Sequence, residues 1–281
     1  MTNINNSIGI FDSGVGGLSV WQEIDYLLPN ESIVYYADNA NCPYGEKTQD
    51  EVIEYSGKVT QFLIDKGCKI IVVACNTATS QAIDYLRKTF AVPFVGIVPA
   101  VKPAAINSKT GVIAILATAG TLKSKKFNDT MKEFSGNTEV ILVEAGELVD
   151  IVENGLQGTK YSEEILRKHI NPLMKRQIDH LVLGCTHFPF LIEDIKMITG
   201  DSVILDNPAP AIAQRTKFIL ESENLTVTPD NKKQIEFFSS GNIETLKNMV
   251  RNIAGIKSRM NFETKKQGRL IVLSSDPFLS M

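Results

Sequence analysis

Two apolar runs, each ending at a cysteine, limit the possible folds of this chain more than any other part of its sequence. Residues 71–74 read IVVA and precede Cys75, and residues 181–184 read LVLG and precede Cys185. Short apolar runs of this kind are typical of buried strands. Because an open α/β sheet binds ligands outside the carboxyl ends of its strands, we expect the two thiols to face each other across one cleft. Such a pair suits chemistry that needs acid/base groups on opposite sides of one atom.

The rest of the chain predicts an α/β fold of two similar domains, each a mainly parallel sheet flanked by helices, with the active site in the cleft between them. The first domain is predicted to comprise residues 1–97 plus 208–281, and the second residues 98–207. A length of 281 residues has room for two ordinary domains. Residues 269–275 are expected to form either an added edge strand or a tail.

Composition and charge exclude several classes of partner. The net charge is −3 and no cluster of Lys and Arg lies beside aromatic residues, so a nucleic-acid partner is not expected. No apolar run approaches the ~20 residues of a membrane span, and Met1 to Ser7 is polar, unlike a secretory signal peptide. We therefore expect a cytoplasmic protein that does not contact membranes. Its four cysteines should stay reduced in that compartment, and none has the Cys-x-x-Cys spacing of a redox or zinc motif.

The strand end before the first helix has the sequence DSGVGG at residues 12–17. Its glycines are predicted to allow positive φ and close approach of a ligand, and the following helix N-terminus favours an anion. A plain tight turn is the alternative. The segment matches neither a dinucleotide fingerprint nor a phosphate-binding loop, because Gly-x-Gly-x-x-Gly and Gly-Lys-Ser/Thr are both absent.

Helix formation after Cys75 places its thiol at a helix N-terminus, where the dipole is expected to lower the thiol pKa. A single cysteine after an apolar strand is more often a small buried hydrophobic residue. The second cysteine in a matching context favours the paired function. His187, two residues past Cys185, either assists its thiol or is a structural loop residue.

Other polar residues near strand ends have two open interpretations. Asp38 ends a strand, and Tyr44 in the loop after it either shields a ligand or packs. Thr118 and Thr121 either hold a carboxylate or cap a helix. Glu153 belongs to a short helix whose carboxylates would ordinarily be solvated.

Four stretches together resemble the signature motifs of bacterial glutamate racemases. They read DSGVGGL at residues 12–18, CPYG at 42–45, ACNTA at 74–78 and GCTHFP at 184–189. The motifs occur in the order and at the usual spacing of that family. The resemblance covers residues 8–246, and the segment beyond about residue 255 lies outside it.

The resemblance implies a racemase without cofactor or metal that interconverts L- and D-glutamate and supplies D-glutamate for peptidoglycan synthesis. It implies that Cys75 removes the α-proton of D-glutamate and Cys185 that of L-glutamate. Asp12 and His187 would assist the thiols, with secondary roles in proton transfer for Asp38 and Glu153. The substrate would be held by Asp12, Ser13, Pro43, Tyr44, Gly45, Asn76, Thr77, Thr118, Thr121, Thr186 and His187. Family members are often homodimers, which leaves a homodimer open for this chain.

The chemistry is consistent with this resemblance. An α-proton is weakly acidic, so thiol bases need donors aimed at the α-carboxylate and a site that excludes water. Pyridoxal phosphate would require a Schiff-base lysine, and none of the four motifs contains one. Three alternatives remain: a related aspartate racemase, a zinc hydrolase or deaminase using Cys75, Cys185 and His187, and a binding protein that does not turn its amino acid over.

Overall fold

The computed structural model describes residues 6–136, 138–228, 232–253, 263–264 and 270–274. Within these ranges the strands are β1 (Ile8–Asp12), β2 (Ile33–Ala37), β3 (Ile70–Val73), β4 (Phe94–Gly96), β5 (Val112–Ala117), β6 (Glu139–Glu144), β7 (His180–Leu183), β8 (Ile204–Asp206), β9 (Gln234–Ser239), β10 (Glu263–Thr264) and β11 (Leu270–Ser274). The α-helices are α1 (Leu18–Leu27), α2 (Gln49–Asp65), α3 (Asn76–Thr89), α4 (Val101–Asn107), α5 (Ala119–Lys123), α6 (Lys125–Phe134), α7 (Glu147–Glu153), α8 (Lys160–Met174), α9 (Ile192–Thr199), α10 (Ala209–Ser222) and α11 (Ile243–Ile253).

The strands form two sheets with the same internal order. The first runs β10-β11-β9-β2-β1-β3-β4, and the second runs β6-β5-β7-β8. All pairings are parallel except those of β11 with β9 and with β10. The order β2-β1-β3-β4 in one sheet corresponds to β6-β5-β7-β8 in the other, so β3 and β7 occupy equivalent places. The prediction of two similar, mainly parallel α/β domains is therefore confirmed.

Helices cover both faces of each sheet and bury its apolar side chains. The first sheet lies between α2 and α3 on one face and α1, α10 and α11 on the other. The second lies between α4 and α6 on one face and α7, α8 and α9 on the other. Strands β3 and β7 are fully buried. This explains why both appear in the sequence as continuous apolar runs rather than alternating ones.

Strand β11 matches one of the two expectations for the C-terminal segment, because it pairs antiparallel with β9 as an added strand. The other residues beyond Ile253, apart from the two of β10, lie outside the described ranges. Among the described residues, none of the helices combines the length and apolar character needed to cross a lipid bilayer.

Helix α8 begins at Lys160 and contains Pro172 in its interior. Thr159 caps this helix by accepting a hydrogen bond from the Ser162 N–H, which fixes its start.

Candidate active site

The carboxyl ends of β1, β3, β5 and β7 deliver residues to one narrow cavity between the two sheets. Its lining consists of Ser13, Pro43, Tyr44, Gly45, Cys75, Asn76, Thr77, Thr118, Val149, Cys185, Thr186 and His187. All of these except Val149 were named from the sequence. The structure thus brings both cysteines and most of the expected substrate-holding residues to the same place. Both thiols are buried.

Cys75 is the N-cap residue of α3. Its sulfur accepts a hydrogen bond from the Ala78 N–H at 3.4 Å, and its thiol lies 3.7 Å from Oγ of Ser13. Burial raises the pKa of the Cys75 thiol, and the negative charge of Asp12 raises it further. The expectation that the helix would lower this pKa was wrong, because the loss of hydration outweighs the stabilisation from one N–H and the helix dipole.

Cys185 belongs to a chain of three side chains. Its sulfur lies 3.6 Å from Nδ1 of His187, and Nε2 of the same ring lies 2.7 Å from Oε1 of Glu153. Burial alone would lower the pKa of His187, but its hydrogen bonds with Cys185 and Glu153 outweigh burial and raise that pKa well above the ordinary value. A protonated imidazole beside the Cys185 sulfur can stabilise a thiolate or supply a proton.

Glu153 connects the two halves of the molecule. It lies at the end of α7, yet its carboxylate accepts hydrogen bonds from the Val15 N–H at 2.7 Å and from Nδ2 of Asn39 at 2.9 Å. Burial would raise the pKa of Glu153, but the hydrogen bonds, chiefly that of His187, lower it. The side chain does not line the cavity and contacts it through His187.

Asp12 fills the anion position at the start of α1. Its Oδ2 accepts hydrogen bonds from the N–H groups of Gly14 and Gly17, both at 3.1 Å, and its Oδ1 accepts one from the Thr186 hydroxyl at 3.2 Å. Burial raises the pKa of Asp12, although the nearby His187 charge opposes this. The helix N-terminus therefore binds the protein's own carboxylate, where the sequence suggested a ligand anion.

The glycines of this turn allow the second half of the chain to approach closely. Gly14 and Gly16 do not use the positive φ that glycine allows. A Cβ atom at Gly16 would lie 2.3 Å from Nδ1 of His187, and one at Gly14 would lie 1.9 Å from Oε1 of Glu153. The groups that approach are thus protein side chains rather than a ligand.

Three threonine hydroxyls form a cluster at the far end of the cavity. Oγ1 of Thr77 lies 2.9 Å from that of Thr118 and 3.3 Å from that of Thr121. Thr118 also caps α5 by accepting a hydrogen bond from the Thr121 N–H. Thr118 therefore caps a helix and also lines the cavity, while Thr121 lies behind the cavity lining.

Asn76 is the side chain of the lining with the most hydrogen-bonding capacity open to a ligand. The residue is 4% exposed, and neither its amide nitrogen nor its amide oxygen has a hydrogen-bond partner. A buried polar group without a partner is costly, and one that lines a cavity is available to a ligand. The described lining contains no Lys or Arg, so carboxylates bound here would be held by neutral donors such as this amide.

Asp38 does not reach the cavity. Its carboxylate accepts hydrogen bonds from the Tyr44 hydroxyl at 2.6 Å, the Ser240 hydroxyl at 2.6 Å and the Asn41 amide. Burial, followed by the Asp38 charge, raises the pKa of Tyr44 well above its usual range. The structure places Asp38 behind Tyr44, where it fixes the position of that ring.

The zinc site suggested by the sequence does not form among the described residues. The group whose potential ligand atoms converge, all within 4.8 Å of one another, is Cys42, Glu153 and His187. It shares only His187 with the set of Cys75, Cys185 and His187. Burial raises the pKa of the Cys42 thiol.

Several residues outside the four sequence motifs support the site. Val149 of α7 lines the cavity, and only its place on the apolar face of a short helix could have indicated this. The Tyr35 hydroxyl donates a hydrogen bond to the Gly14 carbonyl at 2.9 Å. The Ser19 hydroxyl donates one to the Thr186 carbonyl at 3.0 Å, which joins α1 to the loop after β7.

Comparisons with known proteins agree with this geometry. The sequence model of the family described as Asp/Glu/Hydantoin racemase matches residues 8–214. A glutamate racemase of Herpetosiphon aurantiacus is 40% identical over 234 residues, which cover 83% of this chain and 92% of that protein. Glutamate racemase of Bacillus anthracis has a crystal structure similar at a TM-score of 0.80 and 32% identity, covering 90% of this chain and 95% of that one. The Escherichia coli glutamate racemase, crystallised with L-glutamate and the activator UDP-MurNAc-Ala, has a structure similar at a TM-score of 0.79 and 33% identity. The match covers 88% of this chain and 95% of that one.

Proposed function

This chain belongs to the Asp/Glu/hydantoin racemase family, and from that premise we propose that it interconverts L-glutamate and D-glutamate by moving the α-proton between two thiols. Membership makes the protein an amino-acid racemase, which is an isomerase with a small-molecule substrate. One observation carries the proposed mechanism. Cys75 and Cys185 follow the equivalent strands β3 and β7 and line the same cavity.

In the proposed mechanism, Cys185 removes the α-proton of L-glutamate and Cys75 that of D-glutamate. Each abstraction moves the C–H electron pair onto the α-carbon while the thiolate becomes a thiol. The thiol on the opposite face then donates its proton to that carbon, and the configuration inverts. Because burial raises the pKa of Cys75, an empty site favours the thiol. The α-ammonium group of a bound substrate would favour the thiolate form through its positive charge.

The substrate carboxylates are proposed to bind neutral donors. Asn76 offers an amide without a protein partner, and Ser13, Thr77, Thr118 and Thr186 offer hydroxyls at the cavity wall. Residues 43–45 and His187 would complete the binding surface, with Thr121 supporting the other threonines. Such donors act most strongly on the developing carbanion where water is excluded.

The residues that assist each thiol are assigned from their hydrogen bonds and charges. We assign His187 to Cys185, because the two side chains are in contact. Asp12 is assigned to Cys75, on which its charge acts. Glu153 would hold the proton of His187, and Asp38 would act through Tyr44.

The remaining proposals concern the whole protein. We propose domains of residues 1–97 plus 208–281 and 98–207, supported by the segregation of the strands into two sheets. A cytoplasmic location is proposed, with which four free cysteines are consistent. A homodimer and a role in supplying D-glutamate for peptidoglycan are proposed from the sequence resemblance.

The test is incubation of EDTA-treated protein with L-glutamate without added cofactor, while optical rotation is followed to zero. Cys185→Ala should leave the rotation unchanged, and L-aspartate should be a poor substrate. Activity that disappears on chelation and returns with zinc would favour a metal hydrolase or deaminase. Binding of glutamate without loss of rotation would make the protein a binding module.

A further inference from the structure

A second group of reactive side chains lies behind the catalytic cavity and includes a cysteine to which the proposed mechanism gives no task. Cys42, Glu153 and His187 place a sulfur, a carboxylate oxygen and an imidazole nitrogen within 4.8 Å of one another. Cys42 precedes α2 in the first half of the molecule, whereas Glu153 and His187 come from the second half. The group therefore spans the junction between the two halves.

The donor set is that of a zinc site. Thiolate, imidazole and carboxylate bind Zn²⁺ at about 2.3, 2.0–2.1 and 2.0–2.2 Å, so tetrahedral ligand atoms are separated by roughly 3.3–3.6 Å. Reaching that geometry would require the Glu153 and His187 atoms, now 2.7 Å apart, to separate by roughly 0.6 Å. The Cys42 sulfur lies within 4.8 Å of both ligand atoms, so it would have to move inward by no more than roughly 1.3 Å. One thiolate, one carboxylate and one neutral imidazole around Zn²⁺ carry no net charge, which suits a buried position.

The backbone leaves room for these donors. Gly14 faces them, and a Cβ atom there would lie 3.1 Å from the Cys42 sulfur and 1.9 Å from Oε1 of Glu153. Any other residue at position 14 would fill this space. Cys42 is only partly buried, and it does not line the catalytic cavity.

We propose that Cys42, Glu153 and His187 form an inhibitory site for Zn²⁺. An ion bound there replaces the hydrogen bond between Glu153 and His187. It binds the imidazole nitrogen that carries a proton when the protein is active. It also joins the two halves of the molecule behind the catalytic cavity. The competing site for zinc is the catalytic pair itself, Cys75 and Cys185.

Cobalt binding separates the two sites without any reliance on activity. Co²⁺ replaces Zn²⁺ in such sites, and a bound thiolate produces a charge-transfer absorption in the near ultraviolet. The Cys75→Ala/Cys185→Ala double variant should show this absorption, and the same protein with Cys42→Ser added should not, while circular dichroism confirms that both are folded. Absence of the band from the double variant, or its survival after Cys42→Ser, would overturn the proposal.

Inhibition provides the second measurement. The zinc concentration that halves the rate should rise more than about tenfold in Cys42→Ala, since even the loss of an outer hydrogen-bond partner weakens metal affinity by that much. Each variant is compared with its own zinc-free rate. Cys68→Ala is the control, because Cys68 is likewise a free thiol, although more buried than Cys42, and it lies before β3, away from the site. It should keep the sensitivity of the unaltered protein. Equal inhibition of Cys42→Ala, or insensitivity of the unaltered protein to zinc, would contradict the proposal.

Discussion

The carboxylate of Glu153 lies 2.7 Å from Nε2 of His187, and it receives further hydrogen bonds from the Val15 N–H and the Asn39 amide. Val15 and Asn39 belong to the first half of the molecule. One carboxylate therefore binds the imidazole and also connects the two halves. The opposite side of the imidazole faces the Cys185 sulfur. The protonation of His187 is thereby linked to the contact between the two halves.

Replacement of Glu153 by Gln should lower the pKa of His187 and destabilise the fold in a pH-dependent manner. The pKa of His187 is raised on folding, so its contribution to the free energy of unfolding is complete below 6.5 and is lost as pH rises through the folded pKa. The pKa of Glu153 is lowered, so its contribution is complete above 4.5 and is lost as pH falls through the folded pKa.

Urea unfolding of Glu153→Gln and the unaltered protein checks this expectation. Near pH 5.5, inside the window where both contributions are complete, the variant should be less stable by about 1.5–3 kcal/mol, the usual range for a hydrogen bond to a charged group. The difference should decrease toward strongly acidic and strongly alkaline pH. A difference that stays constant across this range would show that His187 and Glu153 are not an ion pair.

Gly16→Ala should remove most of the activity while the protein remains folded. The new Cβ atom would lie 2.3 Å from Nδ1 of His187, so the ring must shift from its position beside Cys185. A displacement of about 1 Å at a catalytic group can cost roughly 10²-fold in rate. Gly146→Ala is the control, because Gly146 has helical backbone angles and open space around it. Wild-type turnover by Gly16→Ala would separate His187 from catalysis.

His187→Ala and Asp12→Ala should affect the two directions differently. The enantiomers have equal free energy, so kcat/KM must fall by the same factor in both directions, and the asymmetry has to appear in kcat. Loss of His187 should slow abstraction by Cys185, which lowers kcat from L-glutamate more and enlarges the isotope effect with α-deuterated L-glutamate. Asp12→Ala should do the reverse, because the Asp12 charge acts on Cys75. Isotope effects that change in the opposite sense would exchange the assigned roles.

Cys75→Ala and Cys185→Ala should each abolish racemisation without unfolding the protein. Both substitutions remove one sulfur atom from a cavity wall, so the free energy of unfolding should change by no more than about 1 kcal/mol. Polarimetry and thermal unfolding, with Cys68→Ala as the matched buried-thiol control, provide the comparison. A folded single variant with near-normal turnover would exclude a mechanism with two thiol bases.

The sequence alone predicted the parts of the site that depend on local pattern. Strands β3 and β7 are buried on both faces, so they appear as apolar runs and locate Cys75 and Cys185 at their ends. Their equivalent places in the two sheets follow from the repeated order of elements. Asn76 and Thr77 were placed correctly because they open the helix that Cys75 caps.

Contacts between distant segments could not be predicted in the same way. The Val15 N–H and the Glu153 carboxylate are 138 residues apart in sequence, and no local pattern indicates their contact. The pKa of Cys75 was predicted in the wrong direction because the helix dipole is visible in sequence while full desolvation is not. Gly14 and Gly16 serve close approach rather than positive φ, since their lack of a side chain accommodates residues from the other half, which no local pattern indicates.

The source of the hydrogen on the product tests whether two separate thiols carry the proton. The purified protein is mixed with L-glutamate in deuterated water, and the α-carbon of each enantiomer is examined by mass spectrometry or NMR early in the reaction. Early D-glutamate should carry deuterium, because Cys75 delivers a solvent-exchanged hydron, while the remaining L-glutamate stays largely protiated. The pattern should reverse from D-glutamate. Product that retains its original α-hydrogen in either direction would contradict transfer between Cys75 and Cys185, even in an active racemase.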